Sequence, residues 1–495
     1  MVSAVMVSTA LLVSAAADSP ALVDAAKRGD RDTLRSLLAK RADANVPERD
    51  GTTALHWAVR GNDEASTRLL LRAGARVNAA NRYGVTPLSL AAANGDARVV
   101  AALLEAGGDP HATTPSGETA LMTASRAGAR GAVTLLLDHG ADVSAREHGF
   151  GETALMWAAA ENHPAVVTLL GSYGADLNAP ARVLEFPNVK VDNATMVITA
   201  LPRGGLTPLM YAARQGSLEA ARALVDLGAN LNATDPDGMT ALVIAIINAH
   251  YDVATLLVQR GADPNVADVT GMAAVYAAVD MHTLDPLVNR PPPAGHSSRG
   301  AVDLVDVLLG HRANPNASLR SPLLARQHNF GDATLGDGAT PLMRAARSGD
   351  VQMMSVLLAR GADVNRRTSS GMTPLLYSAS PARRKSARDG LAAAQLCLEH
   401  GADVNAADGT GQTPLHLAVG TSDDLVTYLA SHGARLDAKD HFGRTPLDVA
   451  MGVAGGGRGA GGRGGASAVR ERTAALLRDL ASRAGTGGSR PPDAR

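Results

Sequence analysis

Apolar residues along this chain come in short blocks at regular intervals. Ala120-Leu121-Met122 is followed by Leu135-Leu136, and 34 positions later Ala154-Leu155-Met156 is followed by Leu169-Leu170. The polar frame repeats with them. "GETALM" fills residues 117–122 and again 151–156, and "DHGADV" is answered by "SYGADL". A short apolar block, a polar turn and a second apolar block predict two short helices, and a period of this length predicts that such pairs stack.

Glycine marks the period. Gly51, Gly84, Gly117, Gly151, Gly205, Gly238, Gly271, Gly338, Gly371, Gly411 and Gly443 are mostly 33 residues apart. A threonine stands two residues after nearly every mark, from Thr53 and Thr86 to Thr413 and Thr445, and proline often follows it, as at Pro87, Pro341 and Pro414. Threonine caps a helix and proline suits its first turn. A second glycine, such as Gly74, Gly140, Gly361 or Gly401, closes the second helix, where a left-handed backbone costs glycine least. The predicted unit is turn, short helix, turn, helix, glycine stop, and the fold class is all-α.

"TPLHLA" at 413–418, "TALHWA" at 53–58 and "GADVNA" at 401–406 resemble the ankyrin repeat. The resemblance runs from roughly Pro20 to Ala481, in about twelve units. It implies a solenoid of helix pairs with projecting hairpin fingers, in which fingers and first helices form a concave surface that binds a partner protein. The residues alone lead to a similar stack, because one helix pair cannot bury its apolar face without neighbours. The solenoid is expected over 18–484. Its first unit lacks the "GxTPL" opening, and its last carries "AGGGRGAGGRGGAS" before a helix near 469–480. That glycine run lacks the Gly-Lys-Ser/Thr close of a phosphate loop and reads as a flexible loop; 485–495 reads as a disordered tail.

The ruler breaks in places. Insertions are expected near 180–203, 281–300, 317–336, 381–390 and 454–467. "NVKVDNATMVIT" within the first alternates as a hairpin does. The unit around Gly271 is the most eroded, with Ala273 in the threonine position and Arg312 in that of the closing glycine, so the stack is expected to be weakest there. Long fingers can clamp a partner or simply be tolerated at a surface. Both readings stand at this point.

Charge and composition narrow the function. Lys and Arg total 47 against 48 Asp and Glu, a net charge of −1, which argues against a general nucleic-acid or anionic-membrane binder. The single cysteine, Cys397, allows no intrachain disulfide or cysteine metal cluster and reads as a small core residue. Residues 1–17 are uncharged, hold "ALLVSAAA" and end in three alanines, so they read as an export signal, although no Lys or Arg follows Met1. The protein is then periplasmic or secreted; if the leader is not a signal it is cytoplasmic. Stable membrane insertion is not expected once the leader is cleaved.

The 14 histidines form no HExxH pair. The resemblance implies that His56 and His416, in "TPLH", hydrogen-bond within the stack. His139, His400 and His432 precede closing glycines, and Asp363 and Asn365 recur for turn chemistry. No catalytic, cofactor or metal-binding residue is assigned.

Two rows and the finger tips remain as binding candidates. Four residues after the threonines stand Trp57, Leu90, Trp157, Tyr211, Ile244, Tyr377 and Leu417, a row expected to pack between repeats. Three residues further on stand Lys27, Arg60, Ala93, Arg126, Ala160, Arg214, Ile247, Asp280 and Arg347, at a position that in the family is variable and faces the groove. Its five basic members suggest a positive stripe for an acidic segment of another protein, although basic side chains also suit helix C-termini. Arg82, Tyr83, Phe150, His441 and Phe442 stand before the turn glycines as candidate anchors. The expected function is a monomeric, non-enzymatic protein-binding scaffold; the alternative is an enzyme or enzyme-associated effector whose active residues lie in the long insertions, around His296 or His328.

Overall fold

Most first helices start where the sequence places a threonine. Thr86 is extended, its hydroxyl accepts the Ser89 amide at 3.2 Å, and Pro87 takes the first turn. Thr119, Thr240 and Thr373 accept from Met122, Val243 and Leu376 in the same way. Several second helices start on an aspartate: Asp30, Asp63 and Asp350 accept from Thr33, Ser66 and Met353. Most second helices end on the expected left-handed glycine, with Arg41 (φ 64°) and Arg312 (φ 67°) in its place in two of them. At Gly361 (φ 87°) the amide donates to the Leu358 carbonyl and that of Ala362 to Leu357, which satisfies carbonyls the helix leaves open. His139, His400 and His432 each place Nδ1 within 2.9 Å of the carbonyl four residues back, tying down the last turn.

The computed structural model describes residues 19–185, 203–283, 300–321, 335–381, 387–453 and 466–486. The leader 1–17, the expected hairpin 188–199, His296, His328 and most of the glycine-rich loop lie outside them. The described residues hold 24 helices and two isolated β-bridges. They fall into two compact units, divided after Pro236.

In the first unit the first helices Ala54–Arg60, Pro87–Asn94, Ala120–Arg126, Ala154–Ala160 and Pro208–Gln215 pack side by side, and the second helices form a second layer behind them. Between the layers lie Leu55, Leu88, Leu121, Leu155 and Leu209 from the first helices and Leu70, Leu103, Leu136, Leu170 and Leu224 from the second, all essentially inaccessible. Burying each such side chain stabilises the fold by roughly 1.5–3 kcal/mol. The second unit repeats the plan from Ala241–Ile247 to Ala466–Thr486. Cys397 is fully buried there, as expected of a small core residue.

Polar ties join successive repeats. Most fingers donate one backbone amide to the finger before them: Arg82 to Asp50 (2.7 Å), His148 to Ser116 (2.7 Å), Arg182 to Phe150 (2.6 Å). On the opposite edge the asparagine of "GADVN" reaches across. Asn365 Nδ2 donates to the Gly401 carbonyl at 3.0 Å and its Oδ1 accepts the Asp403 amide at 2.9 Å, and Asn45, Asn316 and Asn405 do likewise. The histidine of "TPLH" is a third tie. The Thr53 amide donates to His56 Nδ1 (3.2 Å), so Nε2 carries the proton and donates to the Val85 carbonyl in the next repeat (3.1 Å).

Several insertion boundaries move. Of the expected insertion 381–390, residues from Ala387 on are helical: Ala387–Glu399 has 13 residues where Val351–Ala359 has 9, so part of the surplus lengthens a helix. The last helix, Ala466–Thr486, takes in the end of 454–467 and the first residues of the expected tail. Ala274–His282 likewise claims the first two residues of 281–300. At 317–336 the flanks belong to the core: Leu319 and Leu335 are buried, and Leu319 exchanges backbone bonds with Gly338 and Ala339. The chain enters and leaves the 180–203 insertion as an antiparallel pair, the Leu184 amide donating to Arg203 and that of Gly205 to Arg182.

Candidate protein-interaction surface

Because the first helices pack side by side, residues at one helix position form a row. In the first unit the basic row and the aromatic row meet. Arg60 lies over the Trp57 ring (5.4 Å to the centroid) and Lys27 approaches the same ring from the preceding repeat (4.8 Å). Arg126 lies over Trp157 of the next repeat (4.7 Å), and Arg214 over Tyr211 (4.8 Å). A cation held over an indole or phenol face is attracted by the ring quadrupole, so these side chains are positioned instead of swinging freely.

Carboxylates orient the rings. Trp57 Nε1 donates to Glu48 Oε2 (2.6 Å), and Glu48 also pairs with Lys27, whose charge is thereby matched within the chain. Trp157 Nε1 donates to Glu152 Oε2 (2.7 Å), and the same carboxylate acts on the Tyr211 hydroxyl. Burial, reinforced by the Glu152 carboxylate, pushes the Tyr211 hydroxyl well above its usual range, so it stays protonated. Trp157, Tyr211 and Tyr377 are buried, so the aromatic row does pack between repeats as expected, while the cations ride on what it leaves uncovered. Lys27, Trp57 and Arg60 also line an open cleft of about 790 Å³ with Asp30 and Asp63.

The family model described as ankyrin repeats (3 copies) matches residues 22–114, 88–181, 188–268, 294–388 and 385–453. The chain belongs to the ankyrin-repeat family. A search of curated proteins returns no match. Ankyrin repeats are generally protein-interaction modules and typically non-enzymatic, and the all-α repeat fold expected from the sequence is the one observed.

The ankyrin fingers present three of the expected aromatics to solvent: Tyr83 is 59 % exposed, Phe150 56 % and Phe442 59 %. Each is braced. Arg82 lies over the Tyr83 ring and donates to its hydroxyl (3.1 Å); Arg444 lies over Phe442 and pairs with Asp440 (2.7 Å). The Phe150 amide is held by Glu147 Oε1 (2.6 Å). Phe442 and the half-buried Arg347 belong to the second unit, whereas Lys27, Arg60, Arg82, Tyr83, Arg126, Phe150 and Arg214 belong to the first.

Sequence reasoning missed Glu48 and Glu152, the carboxylates that set the rings. Their only signal is a glutamate close to a tryptophan in the same repeat. It also missed the Asp280–Arg344 pair (2.8 Å), buried in the second unit between two first helices that are 64 residues apart in the chain. Among the described residues no group of three or more His, Cys, Asp or Glu side chains is arranged to hold a metal ion, and no helix is long and apolar enough to cross a membrane.

Proposed function

We propose that this protein is a non-enzymatic scaffold that holds a partner protein against the first-helix row and the fingers of its first unit, in part through an acidic segment of that partner. One observation carries the reading. The guanidinium groups of Arg60 and Arg126 are exposed, are held over indole rings, and make no hydrogen bond or ion pair among the described residues, in a unit whose finger tips also expose Tyr83 and Phe150. Prepositioned cations and rigid repeats lower the ordering cost of association, and exposed aromatics supply anchors. The protein acts as a monomer, outside the cytoplasm after loss of residues 1–17.

The test is affinity capture from the source cell's fractions with the wild-type chain and with an Arg60/Arg126/Arg214 charge-reversed variant that melts normally. A protein held by the first and lost by the second supports this site. One held equally by both moves the site elsewhere, and none held by either sinks the scaffold reading. The mass of the mature chain tests export, since an intact leader would overturn it.

A further inference from the structure

At the end of successive first helices in the first unit the row reads Arg60, Ala93, Arg126, Ala160, Arg214. Charge alternates with a methyl group. Each arginine lies on an aromatic ring, while Ala93 and Ala160 leave the row low between them. A guanidinium held over a ring still has N–H groups with which to grip a carboxylate bidentately. Arg60 and Arg126 make no side-chain hydrogen bond or ion pair among the described residues, and the carboxylates near them are engaged elsewhere: Glu152 by Trp157, Glu48 by Trp57 and Lys27, and Asp63 by Arg31.

We infer that this row receives an extended segment of the partner protein in which two carboxylates stand about six residues apart, one over Arg60 and one over Arg126. The inference deepens the proposed function and rests on it. Packed helices lie about 8–10 Å apart, so arginines two repeats apart are separated by roughly 16–20 Å. An extended chain advances about 3.3 Å per residue and covers that distance in five or six residues. Acidic residues spaced this way reach successive arginines, while a dense acidic run places most of its charge over alanine.

The test is selection from a random-peptide display library on the full chain, and in parallel on an Arg60→Ala/Arg126→Ala/Arg214→Ala variant whose melting is unchanged. The wild type is expected to enrich peptides with Asp or Glu five to seven residues apart, and the variant is not. Fluorescence anisotropy of one such peptide should weaken roughly ten- to hundredfold on Arg126→Ala. Arg126→Lys should recover little, because lysine keeps the charge and loses the fork. Peptides enriched equally by both proteins, or acidic peptides without the spacing, would overturn the register and leave the scaffold reading standing. No enrichment by the wild type overturns the extended-segment inference, and the capture experiment then decides separately whether a folded partner binds.

Discussion

Each repeat demands a left-handed backbone at fixed places, and a few residues meet that demand badly. Arg312 stands at the closing-glycine position with φ 67°, and Ala273 caps the preceding helix with no side-chain bond. A β-carbon in this region costs roughly 1–2 kcal/mol, and a missing cap about 1 kcal/mol. Arg312→Gly and Ala273→Thr should therefore each raise the urea midpoint of the second unit, by about 1 kcal/mol in stability; a fall in either case would contradict this account. Glu147 shows the opposite, a residue matched to its place. The interval from Gly117 to Gly151 is 34 residues, one more than usual, and the longer glutamate spans the extra residue to accept the amides of Gly149, Phe150 and Glu152. Burial opposes its charge, but these amides outweigh it and hold the carboxyl below the usual range. Burial lowers the His56 pKa below the ordinary 6.5, outweighing the opposing effect of its bond to the Val85 carbonyl and of the nearby Asp50 charge. The unfolded chain then takes up the proton first, so the stability His56 contributes is complete above pH 6.5 and is lost as pH falls from there toward its lowered value. Melting temperature against pH should show that loss in the wild type and a smaller one in His56→Gln.

At the level of elements, the helices are held in register by repeated polar ties. Asn365→Ala removes a donor to Gly401 and an acceptor for Asp403, and should cost roughly 1–2 kcal/mol, read by denaturant unfolding and by faster exchange of the Asp403 amide. In the first unit Pro115 stands where its neighbours donate a finger-to-finger amide, and having no N–H it packs its ring against Gly84, where a β-carbon would collide with it. The eroded repeat has its own compensation. Asp280 and Arg344 are buried together, and His282 Nδ1 meets the helix-capping Asp350 at 2.6 Å. Removing only the aspartate, as in Asp280→Ala, leaves a buried cation and should cost about 3–5 kcal/mol, whereas replacing both partners by leucine should restore much of it. The Asp350 bond raises the His282 pKa, opposite in sign to His56. Its contribution is complete below pH 6.5 and is lost as pH rises through the raised value, so His282→Gln should flatten that part of the stability profile.

For the whole molecule, a near-neutral net charge coexists with local order. Acidic and basic side chains nearly cancel in number, yet Arg60 and Arg126 make no ion pair among the described residues, where indole faces hold them and the nearby carboxylates are engaged elsewhere. Partner affinity should therefore fall as salt rises, and Arg126→Ala should flatten that dependence; a salt-independent affinity would contradict the electrostatic part of the reading.

The sequence by itself determined the helix pairs and most of their starts, because threonine caps, first-turn prolines and closing glycines act over one turn and repeat every 33 residues or so. It also determined the core leucines, through their fixed offset from each cap. Only the tertiary structure decided which charges are spent. Lys27 and Arg60 share a row and a sign, but Glu48 neutralises one and leaves the other. Asp280 looked like one more groove residue and is buried against an arginine 64 positions away. Such pairings depend on distances between repeats that no local pattern encodes, and a periodic code that specifies the stack is for that reason silent about the side chains its variable positions bring together.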